Sequence, residues 1–246
     1  MTSLTVILPT YNEAPNIAEL VRRIEAVAVP RQTDILFIDD STDETADVIR
    51  AVAASSAMRI RVRHRAEPVG GLAGAVIEGL RLSDSDWCVV MDADLQHPPE
   101  LIPELLAAGA SRGADLVVAS RNVDGGSSAG LDNRVRRVVS RSATLLVRAL
   151  FPIRLRPVTD PMTGYFAVRT AALDLGLLRP RGFKILLEIL VANAPRATEV
   201  PLDFGPRGAG VSKADVGQGT RFLAQLLVLR LRRRPASGAR PPVAPA

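Results

Sequence analysis

The chain opens on an apolar run of strand length, Leu4-Thr5-Val6-Ile7-Leu8-Pro9. A polar turn follows, and then Ile17, Leu20, Val21, Ile24 and Val27 recur at helical spacing. The same sequence of patterns repeats. Asp34–Asp39, Ile60–His64, Trp87–Met91 and Asp115–Ser120 read as further strands. Helices are predicted between them: one capped by Thr42 or Asp43, one opened by Gly70-Gly71 and running to Leu82, and one from Pro98 to Arg112. Regular strand–helix alternation implies a mostly parallel sheet covered by helices on both faces. Ligands of such sheets bind outside the carboxyl ends of the strands. Pro9 to Glu13, Asp39-Asp40, the Gly70 turn, Asp92-Ala93-Asp94 and Arg121 all fall at those ends.

Beyond Arg121 the pattern changes. Residues 124–130 read as a flexible glycine-rich loop and residues 131–151 as a basic helix. A polar turn holding Asp160 precedes a strand from Thr163 to Val168, then a helix near 182–193 and a strand near 197–203. Phe204 to Gly219 is rich in glycine, and Phe222 to Leu231 is an apolar helical run ending in Arg232-Arg233-Arg234. The organisation expected is one α/β domain over 1–213, a basic amphipathic helix over 214–234 and a disordered tail over 235–246.

Composition narrows the function classes. Apolar residues make up 47% of the 246, enough for a large core. The single cysteine, Cys88, excludes an internal disulfide and sits inside an apolar strand. His64 and His97 have no cysteine beside them, so a zinc site is not expected. No basic leader precedes the first strand and no run reaches the ~18 apolar residues of a membrane span. The expectation is a cytoplasmic chain. The net charge of +5 is unevenly placed: residues 1–130 carry −8, residues 131–156 carry +6 and residues 207–246 carry +7. Such asymmetry points to an anionic partner. With aromatics at only 4%, base stacking has little to work with, and nucleic acid is not the expected partner.

The chemistry gathers at Met91-Asp92-Ala93-Asp94-Leu95-Gln96-His97-Pro98-Pro99-Glu100. In extended geometry Asp92, Asp94 and Gln96 share a face, and three oxygen donors suit Mg²⁺ or Mn²⁺ with positions kept for phosphate. The Gly70–Gly74 segment lacks the Gly-Lys-Ser/Thr of a phosphate loop, so it reads as close helix packing or as backbone approaching a nucleotide. Asp39 or Asp40 would accept hydrogen bonds from a base or ribose, or merely cap a strand end. Arg121 faces the same rim, and Arg136 and Ser140 lie four apart on one helix face. Arg207 and Lys213 sit in the glycine-rich segment, and arginine is the natural fork for phosphate. Arg134, Arg137, Arg141 and Arg148 suit attraction to anionic lipid.

Four ordered motifs carry a resemblance. Leu8-Pro9-Thr10-Tyr11-Asn12-Glu13, Asp39-Asp40-Ser41-Thr42-Asp43-Glu44-Thr45, Gly71-Leu72-Ala73-Gly74-Ala75-Val76-Ile77-Glu78-Gly79 and the Met91–Glu100 run together resemble family 2 glycosyltransferases. The last run is similar to the dolichol/polyprenol-phosphate mannosyltransferase branch. The resemblance covers roughly residues 4–213 and implies a GT-A fold, a sugar-nucleotide donor such as GDP-mannose and a polyprenyl phosphate acceptor. It implies a divalent metal at Asp92, Asp94 and Gln96, with Asp92, Asp94 and Arg121 carrying catalysis. It further implies a donor pocket of Pro9, Tyr11, Glu13, Asp39, Asp40, Gly71, Ala93 and Arg207, beside the metal residues. Arg121, Arg136, Ser140 and Lys213 would take the acceptor phosphate. Peripheral contact with the cytoplasmic membrane face, directly or through an anchoring protein, completes the expectation. UDP-glucose as donor, a non-lipid acceptor, and a catalytically silent basic adaptor are the alternatives.

Overall fold

The computed structural model describes residues 2–29, 31–127, 134–179, 184–205 and 216–231. The elements are β1 (Leu4–Thr10), α1 (Ile17–Val27), β2 (Thr33–Asp39), α2 (Thr45–Ser55), β3 (Arg59–His64), α3 (Gly71–Leu82), β4 (Trp87–Val90), α4 (Ile102–Ser111), β5 (Leu116–Ser120), α5 (Arg134–Leu150), β6 (Phe166–Arg169), α6 (Ile185–Ala192), β7 (Ala197–Pro201) and α7 (Val216–Leu231). The strands form one seven-stranded sheet in the order β3-β2-β1-β4-β6-β5-β7. Every described pairing is parallel except the two made by β6, which runs antiparallel to both β4 and β5.

Side-chain alternation splits the core into two layers. Val6, Leu8, Ile35, Phe37, Val89 and Val117 face α1, α2 and α4. Ile7, Leu36, Ile38, Cys88, Val90 and Val118 face α3, α5, α6 and α7. Each fully buried side chain of this size contributes about 1.5–3 kcal/mol on leaving water. The helix α3 can lie close to the sheet because Gly79 has no side chain: a Cβ there would sit 2.5 Å from Ile7 Cγ2.

The structure corrects some expected boundaries. The strand expected from Thr163 starts at Phe166, and the one expected to reach 203 stops at Pro201. The helix expected from Pro98 begins as a 3₁₀ turn, Pro99–Leu101. The described part of the loop expected to be flexible is pinned, since Ser127 N–H donates to Leu202 O and Phe204 N–H donates to Ser127 O. In the C-terminal helix Phe222, Leu226 and Leu229 of α7 are buried in the core shared with α3 and α6. The tail expected from 235 lies outside the described residues.

Candidate active site

At the C-terminal rim, the turn after β1 is sewn to the turn after β2. Asn12 holds a left-handed backbone (φ 56°), a region that asparagine tolerates better than most residues. Its N–H donates to Ser41 Oγ at 2.8 Å, and its Oδ1 accepts from Thr42 N–H at 2.9 Å. Glu13 N–H donates to Thr45 Oγ1, and Glu13 Oε2 accepts from Asn16 Nδ2. Neither Thr42 nor Asp43 is the N-cap of α2: Glu44 holds that position without a side-chain cap bond, while Asp43, one residue before it, accepts from Thr45 N–H and Oγ1 through Oδ1.

The two neighbouring aspartates have different roles. Asp39 is fully buried, with Thr10 Oγ1 and Ser41 Oγ donating to Oδ1 and His64 Nδ1 lying 2.7 Å from Oδ2. It braces the rim and does not line the cavity there. Asp40 does line it. Arg65 grips Asp40 with a bidentate fork, Nε to Oδ1 at 2.6 Å and Nη2 to Oδ2 at 2.5 Å. The same guanidinium donates to Val69 O and Gly71 O, so it ties Asp40 to the entry of α3. That entry bends through Gly70 (φ 78°) and Gly71 (φ 53°), where a side chain would be strained.

The acidic run after β4 does not continue as a strand. Leu95 takes a left-handed conformation (φ 66°) and turns the chain, so alternation does not set the direction of these side chains. Asp92, Ala93 and Asp94 line the cavity; Gln96 does not. Gln96 N–H closes a turn on Asp94 Oδ1, and its Nε2 donates to Gly205 O at 3.1 Å. His97 is buried against Tyr165 and Phe204, with ring centroids 5.1 and 5.6 Å away. Burial holds the imidazole below its ordinary pKa, against the opposing pull of Asp92 and Asp94. Its Nδ1 accepts from Asp92 N–H at 3.0 Å, which puts the proton of the neutral ring on Nε2. The 3.7 Å approach of Asp92 Oδ2 to Nδ1 is therefore not an ion pair. His97 sets the backbone of the acidic turn.

The opposite wall comes from the turn before β6 and the start of α6. Met162, Thr163, Gly164, Lys184 and Ile185 line it. Lys184 Nζ donates to Met162 O at 2.9 Å, and burial pushes its pKa down to about 8. Behind this wall Arg121 forks onto the buried Asp160, Nε to Oδ2 at 2.8 Å and Nη2 to Oδ1 at 3.0 Å, and lies over Phe204. Glu199 of β7 in turn accepts from Thr159 N–H and Asp160 N–H.

Together these walls enclose a cavity of about 550 Å³, within the range of nucleotide-sized sites. Of the candidate site residues, Pro9, Tyr11, Glu13, Asp40, Gly71, Asp92, Ala93 and Asp94 line it, whereas Asp39, Gln96 and Arg121 do not. Arg136 and Ser140 fall on α5, with side chains outside the described set, and Arg207 and Lys213 lie outside the described residues. Lys184, Arg65 and Gly164 are the contributors that the sequence reading missed. Only Lys184 had a visible signal, a lone cation before the uniformly apolar Ile185-Leu186-Leu187.

The model of the family described as Glycosyl transferase family 2 matches residues 5–175. A dolichol-phosphate mannosyltransferase of Pyrococcus furiosus is 40% identical over 214 residues, covering 85% of this chain. The aligned region makes up 58% of that relative's length. An undecaprenyl-phosphate mannosyltransferase of Micrococcus luteus is 35% identical over 224 residues, 88% of this chain and 89% of the relative. Among solved structures, glucosyl-3-phosphoglycerate synthase from Mycobacterium tuberculosis, in complex with Mn²⁺, UDP-glucose and phosphoglyceric acid, superposes with a TM-score of 0.66 at 21% identity. That superposition covers 96% of this chain and 82% of the synthase, and the shared fold is GT-A.

Proposed function

The chain belongs to glycosyl transferase family 2, and from that premise we propose that it transfers mannose from GDP-mannose to a polyprenyl phosphate, inverting the anomeric centre. The observation that carries this reading is the cavity itself: paired carboxylates, Asp92 and Asp94, on one side and a lysine wall on the other. Relatives named as mannosyltransferases of dolichyl and undecaprenyl phosphate support the acceptor class.

In the proposed reaction a phosphate oxygen of the acceptor bonds to the sugar C1 as the bond from C1 to the donor diphosphate breaks, releasing GDP. The acceptor is already an anion near neutral pH, so no strong general base is needed. That agrees with His97, which is buried, neutral and committed through Nδ1 to the Asp92 backbone. The residues' work is alignment and charge compensation. Pro9, Tyr11, Asp40 and Gly71 form the nucleoside end, and Asp92 and Asp94 face the diphosphate.

A divalent metal fits this donor set. Of the expected donors Asp92 and Asp94 line the cavity, with Gln96 outside its lining, and they offer oxygen alone; among the described residues no cluster of three or more His, Cys, Asp or Glu could hold an ion unaided. Such a set suits Mg²⁺ or Mn²⁺ that completes its shell on phosphate oxygens. When bound there, the ion would neutralise the leaving diphosphate.

Peripheral docking on the cytoplasmic membrane face belongs to the same proposal. No helix among the described residues is long and apolar enough to cross a membrane. Exposed Leu145, Leu146, Ile153, Leu227 and Leu231 lie on or beside the basic helices α5 and α7, a composition suited to an anionic bilayer surface. An anchoring protein partner is the other route to that surface.

The test is label transfer from GDP-mannose to polyprenyl phosphate in detergent, with and without EDTA. Organic-soluble label that needs metal supports the reading. Label appearing only with UDP-glucose moves the donor, and label only in water-soluble product removes the lipid acceptor.

A further inference from the structure

We propose that Lys184 binds the phosphate monoester of the acceptor and holds it against the donor sugar. The assignment presupposes the lipid-phosphate reading and names the residue that makes it work. The charged residues lining the cavity are Glu13, Asp40, Asp92 and Asp94, all acids, and Lys184, the single cation among the described lining residues. An acceptor phosphate must come within bonding distance of the sugar while carboxylates stand close by. A dianion entering such a site needs a cation on its own side.

Lys184 stands on that side. Its ammonium is held against Met162 O, on the wall shared with Thr163 and Gly164. Gly164 brings this wall up to the acidic turn: a Cβ there would lie 3.2 Å from both Asp92 carboxylate oxygens. The wall thus approaches the acidic turn closely at a glycine, where one added carbon would already be crowded, so the lysine wall and the acids border one site. Arg121, the other cation near this turn, has its fork closed on Asp160 and stays behind the surface.

Burial and Arg121 disfavour its charge, while Asp92 and Asp160 favour it, and it stands just before α6, where the helix dipole is positive. A ligand anion would add to the support those two carboxylates give. The rival account is that Lys184 merely props the Met162 turn.

Initial rates of the full chain are measured over both substrates for wild type, Lys184→Met, Lys184→Gln and Lys184→Arg, with melting curves for each. The proposal expects loss of the charge to raise KM for polyprenyl phosphate, or lower kcat, by about 10- to 100-fold. KM for GDP-mannose stays within about threefold, and Lys184→Arg recovers most of the loss. Acceptor kinetics within about twofold of wild type in Lys184→Gln overturn it. So do parallel losses for both substrates, with a lowered melting point, that arginine does not rescue.

A binding arm keeps the assignment separable from the reaction. Fluorescent polyprenyl phosphate and uncharged polyprenol in detergent micelles are titrated into wild type and Lys184→Gln, with inorganic phosphate as competitor. If wild type transfers no mannose, the function is wrong, yet a Lys184-dependent preference for the phosphate-bearing lipid still supports the site. Equal binding of the phosphate lipid by both proteins overturns it. Displacement by millimolar inorganic phosphate would show that the headgroup alone is read, and no displacement that the lipid contributes.

Discussion

The two walls of the cavity are built on opposite plans. On the wall made by the ends of β1 and β2, the acidic groups are locked by the protein: Asp39 into a buried web of Thr10, Ser41 and His64, and Asp40 into the Arg65 fork. On the wall made by the 160–164 turn and α6, the framework is equally fixed through Glu199, Asp160 and Arg121, yet it presents a lysine to the cavity. A preset acidic wall suits a neutral partner rich in hydrogen-bond donors, such as a base and ribose. A cationic wall suits an anion. The site divides by charge before any substrate arrives, and each wall can be tested by whether its loss is felt by one substrate or by both.

The largest effect is expected where the walls meet. Asp94→Ala should lower kcat/KM by about a thousandfold, since it removes a carboxylate that would hold a divalent ion against the reacting diphosphate. Transfer assays at saturating Mn²⁺ check this, and near-normal rates would end the shared-centre picture. Next comes Arg65→Met, which strands Asp40 in a nearly buried position and should cost about 3 kcal/mol in urea unfolding. KM for the nucleotide sugar should rise with it while KM for the lipid phosphate holds. Asp160→Asn strikes the other wall by loosening Arg121. Transfer should fall about 10- to 100-fold, through the acceptor, with donor KM unmoved.

The smallest effect serves as the control. Asp115 immediately precedes β5, at the end of the strand away from the cavity, and Arg196 holds its carboxyl below the ordinary value, chiefly by hydrogen bonding. Arg196 is mostly exposed, so Arg196→Ala should lower stability only slightly. A depressed carboxyl stabilises the fold above its unfolded pKa and loses that contribution as pH falls through the folded one. Wild type and Arg196→Ala should therefore differ at neutral pH and converge below the ordinary carboxylate range near 3.8, with both KM values unchanged throughout.

The wall built on β1, β2 and β4 was legible because it is local. Strand ends, turn residues and the Asp92-Ala93-Asp94 run follow from patterns a few residues long, and all lie in consecutive βα units. The lysine wall depends on distant pairings. Nothing in Phe166-Ala167-Val168 says that this strand enters between β4 and β5, because a strand buried on both faces reads alike in either direction. Asp39 and Asp40 are chemically identical in sequence, and only the positions of His64 and Arg65, two adjacent residues at the end of β3, separate the buried brace from the cavity group. Asp160 and Glu199 looked like ordinary loop and strand residues until folding brought them to Arg121.

The reversed strand also orders the protein's assembly. β1 to β4 pair among themselves, so the first ninety or so residues can complete the β3-β2-β1-β4 half of the sheet as soon as they emerge during synthesis. β5 cannot join it then, because its only partners on the described sheet are β6 and β7. Until Phe166 is made, β4 shows a bare edge and β5 has no place to pair, a state open to mispairing with other chains. The wall built on β1 and β2 should therefore form early in folding and the lysine wall late, with chaperone demand at its peak in the interval between them.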